Sequence, residues 1–358
     1  MKKMTSKERV ATTFARQEAD RVPMDYLYNQ GIDRKLKSHF GLALDDDEGL
    51  RQFLEIDFRN IVAPYRGAKL HPDIPGMKVD EFGRRTRWVE HPWGGYWDYC
   101  EWPLRYATKE EIAAWPMPSP DDYDYSFVDR MCEVYQDYYI VIGHPGVGDI
   151  INTAGMLRTM EQVLVDLITD DPAGLLLIDR NHEIWLEIIR RTLQAGRGRI
   201  DMLWLGEDIG TQRGPTISLE LFRKHIRPRH QQFIDLAREW DIPVMMHSCG
   251  SCSWAFDDYI EMGITVVDTL QPEAKDMNPR DIKQRYGNKL AFHGMISTAG
   301  PLANGTVQDV IDNVREILEI MMPGGGYALS PTHQIQDNSP VENVLAMYEA
   351  AKKYGRYS

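Results

Sequence analysis

"DPAGLLLIDRNHEIWLEIIRRTLQAGRGRIDMLWLGED", residues 171–208, contains the unit that decides the fold. Its first part, 171–194, reads as a helix, and "DMLWLG" (201–206) reads as a short apolar strand that ends on two carboxylates. The same alternation recurs along the chain. Strands are expected at 22–28, 57–63, 139–143, 201–206, 243–248, 265–270, 290–295 and 327–330. Helices are expected at 171–194, 218–240, 306–322 and 339–354, with an opening helix that starts at Ser6. Pro228 lies inside the 218–240 stretch and predicts a kink or restart there. Eight strands with helical crossovers predict an α/β fold, a (β/α)8 TIM barrel, built as one domain over residues 1–358.

One stretch departs from that rhythm. Residues 64–137 hold the alternating aromatic segments "VDEFGRRTRWVE" and "GGYWDYCEWPL", which predict an antiparallel hairpin inserted between the second and third strands. Such an insertion can cap the barrel mouth or pack against the barrel side.

Composition narrows the function. Hydrophobic residues make up 43% and charged residues 27%, as in a globular protein. A net charge of -13 argues against a surface that tracks phosphates, so nucleic acid is not an expected partner. No apolar run approaches the roughly 20 residues that span a bilayer. The opening "MKKMTSKERV" has no apolar core behind its lysines and does not read as a signal peptide. Four cysteines in a chain of this length make no disulfide framework, and a cytoplasmic location is expected.

The chemistry is sought at the carboxyl ends of the strands, where barrel enzymes keep it. In "PVMMHSCGSC" (243–252), His247 and Cys249 are two apart on a strand and so share a face. Imidazole and thiolate are both zinc ligands, and a catalytic zinc takes three protein groups and leaves one position open. Cys249 and Cys252 also form a Cys-x-x-Cys, which elsewhere signals a redox pair. Here Gly250 and Ser251 read better as the loop into the helix "SWAFDDYIEMG". His333, just past the eighth strand, is the best candidate for a third ligand, with His293 on the seventh strand as its competitor. Either could instead be a neutral core histidine. Glu207 and Asp208 end the fourth strand and are candidates for general acid/base work, oxygen ligation or support of a ligand histidine. Successive strand residues point opposite ways, so only one of the two is expected to face the site, and the plainer reading of the pair is a helix cap or a solvated pair.

These pieces together resemble the uroporphyrinogen decarboxylase superfamily over almost the full length. The resemblance rests on "SKERV…EADRVP", "EDIGTQRGPTISLELFRKHIRPRHQQFID", "PVMMHSCG" and "GGGYALSPTH…SPVENV". It implies a (β/α)8 barrel, often a homodimer, with its site in the carboxyl-end cleft. Within the family the chain looks closest to the zinc-dependent, corrinoid-linked methyltransferases. The stretch "MDYLYNQGIDRK" lacks the arginine cluster that the porphyrinogen enzymes use for substrate carboxylates. His247 and Cys249 match the methyltransferases' His-x-Cys, but their later cysteine is missing, and Ser330-Pro331-Thr332-His333 stands there instead. The resemblance therefore implies zinc on His247, Cys249 and His333, a corrinoid carried by a partner protein, and a small methoxylated or thiol substrate. Replacing a thiolate by an imidazole favours polarising an ether oxygen, hence demethylation. Tyr26, Tyr28 and Trp204 are the expected pocket aromatics, with barrel packing as their other role. The rival readings are a metal-independent decarboxylase and a barrel that binds a corrinoid or partner without turnover.

Overall fold

Seven of the expected strands form one parallel sheet in the computed structural model, which describes residues 3–357. They are Phe58–Ile61, Tyr139–Gly143, Met202–Gly206, Val244–Ser248, Val266–Thr269, Ala291–Ile296 and Tyr327–Pro331, and they neighbour one another in chain order. The last six are buried along their whole length, as expected of strands with a core on one face and helices on the other.

Residues 22–28 do not make a regular strand, although they bond to both outer strands. Asp25 N donates to Leu329 O (2.9 Å), Leu329 N to Pro23 O (2.8 Å), and Asp57 N to Met24 O (3.0 Å). The irregularity has a chemical cause. Pro23 has no N–H to give, the Met24 N–H goes to the Asp57 carboxylate (2.9 Å), and the Tyr26 N–H goes to the Asp25 carboxylate (2.7 Å). The Asp57 side thus loses the Met24 and Tyr26 donors and the Leu329 side lacks one at Pro23, and two isolated parallel bridges on the latter side, Met24–Leu329 and Tyr28–Ile335, are what is left.

The sheet encloses an apolar interior of Phe58, Tyr139, Val141, Met202, Trp204, Met245, Val266, Ala291 and Ala328. Val10 and Phe14 of the opening helix Ser6–Phe14 join this cluster. That helix starts at Ser6 as expected and is capped by Thr5, in a reciprocal pair with Glu8. The outer face packs against the helices Pro172–Gly196, Val307–Met321 and Val341–Tyr354, close to the expected spans. The 218–240 stretch divides as Pro228 requires. A short helix Leu219–Leu221 passes through a wider π turn, Phe222–Ile226, into Arg227–Glu239.

Between the strands 58–61 and 139–143 the chain builds a separate antiparallel sheet from Met77–Val79, Arg85–His91 and Gly94–Glu101. Trp88 and Trp97 face each other across it, with ring centroids 5.8 Å apart. Its tip touches the segment after the last parallel strand. There Gly95 N donates to Asp337 Oδ2 (3.2 Å), and His91 Nε2 lies 3.3 Å from Asp337 Oδ1.

Candidate metal centre

Register assembles the site. In the parallel ladder Gly206 stands beside His247, His247 beside Asp268, Asp268 beside His293 and His293 beside Ala328. Residues at one level on neighbouring strands project to the same face, so these three polar side chains meet above the apolar interior. His247 Nδ1 lies 2.6 Å from Asp268 Oδ2, and His293 Nδ1 lies 2.6 Å from Asp268 Oδ1. A carboxylate bonded at Nδ1 fixes one hydrogen there, so the Nε2 lone pair of His247 is the one that takes up a proton or a metal.

That lone pair points at two further donors. Cys249 Sγ is 3.5 Å from His247 Nε2, and Asp208 Oδ1 is 3.8 Å from it. Asp208, His247 and Cys249 each present a ligand atom, and the three atoms lie within 4.8 Å of one another. Tetrahedral zinc with bonds of about 2.0–2.3 Å separates its ligand atoms by roughly 3.3–3.6 Å, so this donor set fits zinc with small adjustments. Asp208 is held in place by the Cys249 N–H on Oδ1 (2.8 Å) and by Asn152 Nδ2 on Oδ2 (3.0 Å).

The charges are strongly coupled. Burial alone would strip the proton from His247, but Asp268 and then Cys249 outweigh it and hold its pKa well above the ordinary histidine value. Burial would likewise raise Asp268, but the two imidazoles, His293 first, hold it well below the carboxylate range. Burial pushes the Cys249 thiol up, and His247 opposes that shift. In this geometry a bound cation would take over the role of the proton on His247 Nε2 and favour the thiolate at Cys249.

The other candidates are placed as follows. His333 lies at the same end of the sheet, solvent-accessible, and is pushed below its usual pKa by its surroundings and by His247. It is outside the group of converging ligand atoms, where Asp208 stands instead. Glu207 is fully buried and contributes no atom to that group. Its carboxyl oxygens accept the N–H groups of Ile150 (2.8 Å) and Ile151 (3.0 Å) at the start of helix Ile150–Arg158, and burial raises its pKa to about 8. Tyr26 and Tyr28 stack on each other at 4.5 Å on the outer face, Tyr26 edge-on to Tyr348 and near Asp33 (3.3 Å). The inward residues of that segment are Asp25, which bonds His293, and Leu27. Trp204 is inside the barrel, its ring edge-on to His247 (6.4 Å) and His293 (6.3 Å), as a floor beneath the polar layer.

Reading the strands for ligands alone missed Asp268 and Asn152. For Asp268 a signal existed: in "TVVDTL" it is an acid two residues after the inward Val266, on the strand next to His247.

The uroporphyrinogen decarboxylase (URO-D) family model matches residues 105–354. The methylcobamide:CoM methyltransferases MtbA of Methanosarcina acetivorans and Methanosarcina mazei are each 27% identical to the chain over 148 residues. That match spans 39% of this chain and 40% of either relative. A solved methyltransferase structure from Methanosarcina mazei superposes with a TM-score of 0.69, covering 98% of this chain and 99% of that one, at 17% identity. This last likeness is one of fold. Among the described residues, no helix is long and apolar enough to cross a membrane.

Proposed function

Because the chain belongs to the uroporphyrinogen decarboxylase family, we propose that it is a zinc-dependent methyltransferase. In this reading it moves a methyl group between a small methoxylated or thiol substrate and the cobalt of a corrinoid on a partner protein. The carrying observation is the convergence of Asp208, His247 and Cys249 at a strand-end cleft, with the far nitrogen of His247 fixed by Asp268. The likeness to the two methylcobamide:CoM methyltransferases supports the same direction.

His247, Cys249 and Asp208 would hold the metal, and His333, at the same end of the sheet, would meet the substrate. Zinc there would supply Lewis acidity to the substrate oxygen or sulfur from which the methyl departs. Asp268 fixes the His247 tautomer, and Asn152 with the Cys249 amide fixes Asp208, so the donors are set before substrate arrives. Trp204 would form the apolar floor beneath the two histidines. One imidazole, one thiolate and one carboxylate would leave a zinc centre neutral. The hard oxygen donor gives less electron density than a second thiolate, which favours polarising an ether oxygen and hence demethylation. The test is metal analysis of the purified protein, then methyl transfer from methoxylated compounds to cob(I)alamin with and without a chelator. Zinc-dependent transfer is expected. Metal-independent conversion of uroporphyrinogen would replace this reading with the decarboxylase one.

A further inference from the structure

Asp268 does not serve His247 alone. Its other oxygen bonds His293 Nδ1 at 2.6 Å, and His293 Nε2 in turn lies 3.1 Å from Asp25 Oδ2. An imidazole with an acceptor at each nitrogen carries a hydrogen on both, so His293 is an imidazolium clasped between two carboxylates. Burial alone would remove its proton, but Asp268 and Asp25 outweigh burial and raise its pKa to about 9. The row Asp25, His293, Asp268, His247 thus crosses the barrel from the 22–28 segment to the candidate ligands. Tyr348 Oη anchors its far end by donating to the Asp25 carbonyl (2.9 Å).

A carboxylate hydrogen-bonded to a ligand imidazole makes that imidazole a stronger electron donor to the metal. A second cation on the same carboxylate shares its charge and weakens that effect. We infer that His293 is a positioning residue for the metal centre, a fixed counter-charge that limits how much electron density Asp268 drives through His247 onto the metal. The metal stays more electrophilic toward a substrate oxygen than a simple His-Asp pair would leave it. This inference rests on the metal-dependent reading above.

The experiment compares wild type, His293→Asn and Asp25→Asn by chelator competition for Zn(II) and by the visible absorption of the Co(II)-loaded protein. His293→Asn keeps a donor toward Asp268 and removes a positive charge roughly 10 Å from a divalent ion, so metal binding should tighten by roughly 10–10³-fold. The Co(II) bands should shift with it. Asp25→Asn removes a negative charge from the same row and should weaken binding by roughly 3–10-fold, less because Asp25 is partly exposed to solvent. Opposite signs in two variants are not produced by damage to the fold. Unchanged affinity and spectrum in His293→Asn, or weaker binding in both variants, overturns the inference while leaving the metal site standing. A wild-type protein that binds neither ion overturns the underlying reading, and the inference falls with it.

Discussion

Asp268→Asn is the sharpest perturbation of the proposed centre. The carboxylate accepts from two imidazoles at 2.6 Å each. The amide keeps the shape but has one accepting and one donating end, so one imidazole must lose its partner or turn its hydrogen to the other nitrogen. If His247 yields, the hydrogen moves to Nε2 and blocks the lone pair that faces Cys249 and Asp208. Charge-assisted bonds of this type are worth about 1.5–3 kcal/mol each. A partial loss agrees with the 10–100-fold drop in metal affinity typical of removing such a support, or about 1.4–2.7 kcal/mol. Zinc affinity by chelator competition near neutral pH measures it, with circular dichroism to confirm the fold. Wild-type affinity in a folded Asp268→Asn protein would refute the claim that this carboxylate orients the ligand.

Asp208→Asn should lower zinc content, whereas His333→Ala should keep it, and metal analysis of the two variants decides which of them completes the ligand set. Glu207→Gln should retain zinc, because Glu207 holds a helix rather than the metal. Its folded pKa of about 8 is raised above the ordinary 4.5, so ionising it in place costs stability as pH rises through that window. The glutamine variant should therefore gain stability relative to wild type between about pH 4.5 and 8, as read from denaturant midpoints. For the metal-free wild type, His293 contributes stability that is complete below its unfolded pKa of about 6.5 and is lost as pH rises through about 9. The thermal midpoint of the apoprotein should fall over that range by more than that of His293→Asn. Tyr26→Phe should cost about 1 kcal/mol or less, the worth of its bond to Asp33, and leave methyl transfer unchanged.

The parallel strands were legible because each is a short apolar run followed by a helical period, a local signal. His247 and Cys249 were legible for the same reason, since spacing along one strand fixes a shared face. What lies between strands was harder to read. Whether Asp268 or His293 reaches His247 depends on the stagger of neighbouring strands, which no single strand encodes. Tyr26 and Tyr28 were assigned to the pocket because aromatic residues suit one, but the inward alternate positions belong to Asp25 and Leu27. Of Glu207 and Asp208, which follow the strand rather than belong to it, only Asp208 joins the converging ligand atoms. Which of them faced the ligands turned on where the helix Ile150–Arg158 begins, a feature distant in the chain.

The irregular 22–28 segment has a consequence for biosynthesis. It bonds to Leu329 at one side and to Asp57 at the other, so the sheet acquires its last neighbour only when the carboxyl-terminal strand leaves the ribosome. Until then the nascent chain displays an open strand edge, which invites pairing with another chain. Along this edge, the Leu329 side, Pro23 offers no N–H, and Asp25 is left as the donor that later reaches Leu329 O. The early segment is thus a poor template for a stranger's strand while it waits for the far end of its own chain.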